Sequence, residues 1–476
     1  MNNQVFRDTQ EQIVHNTITI SQDCDVIKTV GDQNGKILEI KIFERPKKRF
    51  SARDSPLTVL FENIHIRTII NLLKIFLFNL IIVTIVREFF NNQQYAWYLL
   101  IPKGCDNFHI TIFFWVLYYC LTCCTYFFFK MWTNIRTEII PRKSAFKRML
   151  DIVALLIILG YYVFSFQLAE YIVKTYRLPP VSALFLLLEQ TRMLMKVHAF
   201  IRSNVPKILK YDNESDVKLE LPSFNHFIFF TFVPTLIYKD EYPRTQKIKW
   251  WRVVLQIVEI FLGIFCLIIL IHNFIHTKYN DFGLKKYSYV ELLLKIVELC
   301  LPGTIVLVIA FYLILHQVQN LFAEILRFAD RMFYREWWTA CDFTSFYKMW
   351  NVIIHDFLFI YVYRDCCEIF NSKIFSKYFT FFISALVHEW IMINTLGFFF
   401  PIMFCCFFLA GTLLSFVKVS QNYRLNILMW LSIAYGTSIL ISGYTLEVMA
   451  RSNGVQPLFE KFDFYIPRSL TCDCYI

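Results

Sequence analysis

Glycine is scarce in this chain, 12 of 476 residues against 51 phenylalanines. The few glycines never gather into a loop that would cradle phosphates, and no Walker-type string occurs, which argues against an ATP-driven pump. Charge is thin as well, at 18% of residues, while 57% are hydrophobic and 18% aromatic, more apolar surface than a soluble core of this length can use. The first residues lack the basic, apolar and small-residue succession of a cleavable signal, so none is expected. No inverted repeat of the transporter kind stands out. The fourteen cysteines do not form a framework: Cys120, Cys123, Cys124, Cys266, Cys300, Cys405 and Cys406 fall inside apolar runs, where a thiol acts as a small hydrophobe. Cys120-x-x-Cys123 resembles half a redox or zinc site, but no second pair or flanking histidine completes it, and no metal is expected.

What the chain has instead is a succession of long apolar stretches. A transmembrane helix needs about 20 apolar residues at about 1.5 Å rise each. Nine stretches qualify, near 69–90, 108–130, 149–172, 181–200, 253–275, 296–322, 378–400, 402–417 and 427–447. The eighth is short and the fourth carries Glu189, Arg192 and Lys196. The expected fold class is all-α, a polytopic membrane bundle of about nine transmembrane helices. Residues 1–56 read as a polar, mostly disordered tail, and 57–476 as the membrane domain.

Orientation follows the basic residues. Lys36, Lys41, Arg45, Lys47, Lys48, Arg49 and Arg53 outnumber Glu39 and Glu44 ahead of the first span, which predicts a cytosolic N-terminus. The loop 91–107 holds only Lys103, whereas 130–148 holds Lys130, Arg136, Arg142, Lys143, Lys147 and Arg148. Sides therefore alternate, with 201–252 and 323–377 cytosolic and the C-terminus lumenal. The formal charge of +11 is mostly a topology signal rather than a nucleic-acid patch. On this topology the sequon Asn213-Glu-Ser215 is cytosolic and unmodified.

Within Tyr378–Phe400 the only ionisable side chains besides the Tyr378 phenol are His388 and Glu389, in "SALVHEW". An ionisable residue in a span is expensive and marks a functional site by default; the bland alternative is a polar tie between helices. Ser384 lies four residues earlier on the same helical face, whereas adjacent Glu389 faces elsewhere, so no Ser-His-Glu triad is built. A lone histidine in a dry cavity suits a general base acting on a hydroxyl. Upstream, "FYREWWTA" (Phe333–Ala340) reads either as an interfacial aromatic belt or, given Arg335 and Glu336, as something less bland. In "MWNVIIHDF" (Met349–Phe357) the spacing places Asn351 and His355 on one face of a helix, a polar face tolerated at membrane depth only beside protein or water.

These strings together resemble the membrane-bound O-acyltransferase superfamily, and within it the sterol O-acyltransferases (acyl-CoA:cholesterol acyltransferases). The family's "FYxDWWN" stands here as Phe333-Tyr334-Arg335-Glu336-Trp337-Trp338-Thr339. Its "WNVVVHDW" stands as Trp350-Asn351-Val352-Ile353-Ile354-His355-Asp356-Phe357, and its "SAVVHE" as Ser384-Ala385-Leu386-Val387-His388-Glu389. "LFENIHIRTI", "LPP", "EQTRMLMKVHAFIRSNVP", "PTLIYKDEYPR" and "PRSLTC" match in the same order, so the resemblance runs collinearly from 57 to 476. Glu336 and Thr339 replace the family's Asp and Asn, and two residues are missing between Tyr363 and His388. The family's usual cysteine partner for Cys472 is absent, leaving Cys474 or nothing, and a Cys-x-Cys bridge is geometrically poor.

The resemblance implies helices enclosing a reaction chamber in the endoplasmic reticulum membrane, as a homodimer or homotetramer. Acyl-CoA serves as co-substrate with no further cofactor, and sterol arrives from the bilayer. It implies that His388 is catalytic with Asn351 assisting, and that Tyr347, Lys348, His355, Tyr363, Lys373 and Ser384 line the acyl-CoA path. Phe333, Tyr334, Glu336, Trp337 and Trp338 form the motif loop, and Lys348 and Arg335 suit the phosphates of coenzyme A. The expected product is a sterol ester. Two alternatives remain open: acyl transfer to diacylglycerol, disfavoured by Asp356 where the sister family carries Lys, and an inactive sterol-binding protein, disfavoured by the presence of both Asn351 and His388.

Overall fold

Long Phe-, Leu- and Ile-rich runs with few breakers leave the backbone one economical solution in a bilayer, the helix, which satisfies its own N–H and C=O groups. The computed structural model describes residues 26–31, 37–42, 48–90, 100–139, 145–211, 220–415 and 423–475. The chain divides into two units, residues 1–50 and 51–476. In the first, β1 (Val26–Gly31) pairs antiparallel with β2 (Ile37–Ile42), Val26 opposite Ile42. The tail expected to be disordered thus holds one local hairpin, and the rest of 1–47 lies outside the described residues, as do Arg142, Lys143 and the Asn213 sequon.

The second unit is helical. Its principal elements are α1 (Ile64–Phe90), α2 (Phe108–Asn134), α3 (Ala145–Thr175), α4 (Pro180–Lys210), α5 (Phe224–Phe232), α6 (Trp250–Ile271), α7 (Tyr289–Phe311), α8 (Phe343–Trp350), α9 (Val352–Phe357), α10 (Lys373–Leu396), α11 (Ile402–Ser415) and α12 (Tyr423–Ser452). Among the described residues seven of these, α1, α2, α3, α6, α7, α10 and α12, are long and apolar enough to cross a membrane, some extended by adjoining turns. The other two expected spans are helices of a different kind. The α11 segment is too short, and α4 too charged.

The cost of those charges is met locally. On α4 the Arg192 guanidinium bonds both oxygens of Glu189 (2.7 and 2.9 Å), and Trp115 donates to the same carboxylate at 2.8 Å. Lys196, 1% exposed, donates to the carbonyls of Phe230, Val233 and Thr235. Buried ionic groups persist where each is paired and hydrogen-bonded, and Lys196 ties the end of α5 and the start of the "PTLIY" loop to α4.

Elsewhere small polar residues are interspersed with the apolar interior, and the exterior is apolar. On α2 the buried residues include Thr111, Thr122, Thr125 and Thr133, while Phe76, Leu156 and Phe261 are more than 60% exposed. Small polar residues let helices approach in lipid, and outward apolar side chains meet acyl tails. Helix α4 packs on α2 and α10, and α7 on α12. The helix that carries His388 has firm ends. Ser372 accepts from Phe375 N at 3.3 Å as its N-cap, and Gly397 closes it at φ 80°, a left-handed conformation that glycine adopts without strain.

Near the C-terminus Cys472 and Cys474 are joined by a disulfide, with Cα atoms 5.1 Å apart. The bridge takes Cys474, the one partner left open for Cys472, and the turn after Thr471 sets the Cα–Cα distance. Glu447, fully buried on α12, ties down this segment by accepting from Arg468 N at 3.0 Å and Ser469 N at 2.8 Å.

Candidate active site

His388 sits just past the middle of α10. Its Nδ1 lies 2.7 Å from the backbone carbonyl oxygen of Ser384, one turn earlier. A carbonyl oxygen only accepts, so Nδ1 carries the hydrogen and the lone pair of the neutral ring is at Nε2. The ring is exposed and lies on Phe407, centroids 5.1 Å apart and planes 28° apart. No side chain among the described residues bonds Nε2.

The layer around the ring is aromatic. Phe407 of α11 touches Phe381 (4.7 Å) and Tyr347 (5.2 Å), and Tyr347 of α8 touches Phe381 (5.1 Å). Three helices therefore meet beside His388 through rings, of which Tyr347 alone carries a hydroxyl; Phe407, the ring stacked on His388, offers no hydrogen bond to compete with a substrate hydroxyl. Glu389 plays a different part. Its Oε2 accepts from Phe404 N at 2.9 Å, while the Tyr444 hydroxyl accepts from Met403 N at 3.1 Å. Both N–H groups belong to the first turn of α11, whose donors have no intrahelical partner. The adjacent carboxylate thus fixes the helix bearing Phe407, and no Ser-His-Glu triad forms.

Asn351 corrects one expectation. It does not share a helix face with His355; it is the break between α8 and α9, at φ −135°, and its Oδ1 accepts from Ile354 N at 3.1 Å as the N-cap of α9. The cap orients the amide: with the oxygen committed to the backbone, the Nδ2 hydrogens face away from it and are available as donors.

The two motif strings are bonded to each other along the backbone. Val352 N donates to Phe333 O at 2.9 Å and Arg335 N to Met349 O at 2.8 Å. Phe333, Tyr334 and Trp337 are at most 3% exposed, and Trp337 is walled by Phe311, Trp350 and Trp430 with centroids 4.6 to 5.4 Å away. Such burial excludes an interfacial belt for these three residues. Helix α12 holds the loop from its other side, Asn426 donating to the carbonyls of Trp338 (2.9 Å) and Ala340 (2.7 Å). At the two departures from the family string, Glu336 is exposed, and the Thr339 hydroxyl donates to Glu336 O at 2.7 Å, closing the turn within the loop.

Of the acyl-CoA residues, His355 and Tyr363 lie on one stacked ladder through Phe359, at 6.2 and 5.6 Å. The His355 Nδ1 is 3.3 Å from Asp356 Oδ1. Ser384 bonds His388 through its carbonyl, Tyr347 reaches it through Phe407, and Lys348 is exposed on α8. Lys373 is not brought there; it begins α10, about 22 Å from His388 at the rise of a helix.

Sequence reasoning missed Phe407, Asn426 and His316. The last lies in the π-helical turn Tyr312–Val318 that continues α7. Its Nδ1 faces the Tyr334 hydroxyl at 2.7 Å and Asn320 Nδ2 at 3.3 Å. Burial raises the Tyr334 phenol above its ordinary value, so that group keeps its hydrogen. The criterion that singled out His388, an ionisable residue in an apolar run, applied equally to His316.

The chain matches the MBOAT, membrane-bound O-acyltransferase family, over residues 97–446. It is similar to Sterol O-acyltransferase 1 of Mus musculus, 32% identical over 450 residues that cover 92% of this chain and 82% of that protein. It is also similar to Sterol O-acyltransferase 2 of Rattus norvegicus, 30% identical over 457 residues, 95% of this chain and 85% of that protein. Against Sterol O-acyltransferase 2 of Homo sapiens the identity is 34% over 309 residues, 64% of this chain and 59% of that protein.

Proposed function

Since this chain belongs to the membrane-bound O-acyltransferase family, we propose that it transfers a long-chain acyl group from acyl-CoA to the 3-hydroxyl of a sterol, with His388 as general base. The observation that carries this reading is the fixed tautomer of His388, whose Nδ1–H is given to the Ser384 carbonyl while Nε2 is kept for substrate. The substrate class rests on likeness to relatives named sterol O-acyltransferases.

A sterol hydroxyl is a weak nucleophile with a very high pKa, so its proton must leave as the oxygen attacks the thioester carbon. Nε2 takes that proton. The carbonyl oxygen gains charge, and Nδ2 of Asn351 is the proposed donor to it, an effect that can be worth about 3 kcal/mol. When the C–S bond breaks, the imidazolium returns the proton to the departing thiolate. No acyl-enzyme is required, because the thioester is already activated. Tyr347, Lys348, His355, Tyr363, Lys373 and Ser384 are proposed to line the donor's path.

The aromatic layer at His388 also favours a rigid apolar plate with one hydroxyl over diacylglycerol, whose ester groups would need polar partners or remain desolvated. The same reading places the N-terminus in the cytosol, the protein in the endoplasmic reticulum and the chain in a homodimer or homotetramer. The test is direct: membranes bearing the protein receive labelled oleoyl-CoA with cholesterol and diacylglycerol side by side. Sterol ester as the main product is the expected result. Triacylglycerol as the main product overturns the acceptor and leaves the chemistry standing; no ester of either kind overturns both.

A further inference from the structure

Where α6 begins and the extension of α7 ends, a cavity of about 560 Å³ opens, and none of the residues assigned above to acyl transfer lines it. Its wall carries six cations, Arg53, Arg244, Lys247, Lys249, Arg252 and Arg331, against the acids Asp54 and Glu324. Three of the cations are already engaged. Arg53 is held by Asp330 at 2.7 Å, Arg331 by Glu324 at 2.6 Å, and Arg244 lies over the Phe229 ring at 4.3 Å. Lys247, Lys249 and Arg252 are exposed and have no ion pair among the described residues. The buried Thr245 hydroxyl at the same wall has no hydrogen-bond partner among the described residues. Lys249 is the N-cap of α6 and makes no side-chain cap, so the positive end of a 22-residue helix adds to the same field. Six cations, three of them exposed and without an ion pair among the described residues, against two acids, and a helix start whose Lys249 N–H is held by Glu324 at 2.7 Å, leave a net positive cavity suited to a compact dianion.

We propose that this cavity binds a phosphomonoester, and that its source is the headgroup of an anionic phospholipid. The first two residues of α6, Trp250 and Trp251, are 65% and 72% exposed beside the cavity. Tryptophan collects at headgroup depth, which sets the opening where a lipid phosphate lies. Juxtamembrane Lys and Arg draw such headgroups through the same field. The site is separate from the acyl-transfer site and does not depend on the function proposed for it.

The full-length protein in phosphatidylcholine nanodiscs is titrated with dioctanoyl phosphatidic acid, with glycerol 3-phosphate and with free coenzyme A, binding being read by native mass spectrometry. The expected result is saturable binding of the lipid, far weaker binding of glycerol 3-phosphate, and no displacement by coenzyme A. Lys247→Ala with Arg252→Ala should weaken lipid binding on the order of tenfold, while Lys247→Arg with Arg252→Lys retains it. Both variants alter exposed side chains, and an unchanged unfolding midpoint verifies that they are folded. Equal lipid binding by the alanine pair overturns the site. Glycerol 3-phosphate binding as tightly as the lipid overturns the lipid source. Displacement by coenzyme A, with loss of coenzyme A binding in the alanine pair, assigns the cavity to the acyl donor and overturns its independence.

Discussion

His316 and His388 both lie in apolar helical stretches of the same bundle. His316 is 5% exposed, and its Nδ1 faces the Tyr334 hydroxyl and Asn320 Nδ2, both donors, with Ser55 Oγ at 3.4 Å. Its basic lone pair is therefore used up by the protein. His388 gives Nδ1–H to a carbonyl of its own helix, shows an exposed ring and keeps the Nε2 lone pair. The same side chain is a strut in one place and a reagent in the other, and what separates them is which nitrogen the protein occupies. A strut should be felt in stability, and a reagent in turnover.

The sharpest way to break this contrast is His388→Ala. General-base catalysis supplies about 10²–10⁴-fold, so ester formation should fall by about that factor or more, with acyl-CoA binding and the unfolding midpoint nearly unchanged. Binding and folding lost in step with turnover would make His388 a second strut. Next in size is Asn351, which serves both as cap and as proposed donor. Asn351→Asp keeps an oxygen for Ile354 N and a normal fold, yet places a carboxylate where charge develops. Turnover should drop about 10²–10³-fold at constant stability, whereas Asn351→Ala loses a further ~1 kcal/mol of stability with the cap. An active Asp variant would remove the donor role.

Much of this was legible in the sequence, and the reasons for the rest are specific. His388 stood out because an ionisable group in an apolar run is conspicuous, and α10 could be placed to within a few residues. Of the groups around His316, Ser55 could not be read because it lies 261 residues away in sequence, whereas Asn320 is one helical turn on. Phe407 was one of 51 phenylalanines, and nothing local marks the one that meets the histidine. Asn351 was misread because its spacing to His355 fits a helix face, although Asn is also a favoured N-cap and the cap won. Glu189 and Arg192 weakened the expectation of a fourth span; read as a pair three residues apart on one helix, they compensate each other and leave the helix intact.

His316→Ala tests the strut. It leaves the buried Tyr334 hydroxyl without the ring acceptor, costing about 1–3 kcal/mol, and it loosens the loop that Tyr334 anchors, while Asn320 Nδ2 keeps its bonds to the residue-316 carbonyl and Ser55 Oγ. The unfolding midpoint should fall clearly, while turnover per folded molecule stays within about tenfold of the parent. A stable, inactive His316→Ala protein would show that this ring also acts in the chemistry.

The smallest effect sharpens the other side, by asking whether the aromatic layer holds the His388 ring in place. Gly411 of α11 is buried, and a Cβ built there would stand 2.6 Å from the Tyr347 hydroxyl and 3.3 Å from its Cζ. The Tyr347 ring cannot simply swing aside, because Phe381 and Phe407 flank it. Gly411→Ala must therefore shift either Tyr347 or α11, and through Phe407 either movement reaches the histidine. Overpacking of this kind costs about 1–3 kcal/mol, partly offset by about 1 kcal/mol from replacing glycine within a helix. Stability should thus change little, whereas kcat/KM for acyl-CoA should fall several-fold. Tyr347→Phe removes the atom that collides, so Gly411→Ala with Tyr347→Phe should recover most of what Gly411→Ala loses relative to the Tyr347→Phe protein, a coupling expected between side chains in contact. Strictly additive effects would mean that the layer tolerates displacement and that the Ser384 carbonyl alone positions His388.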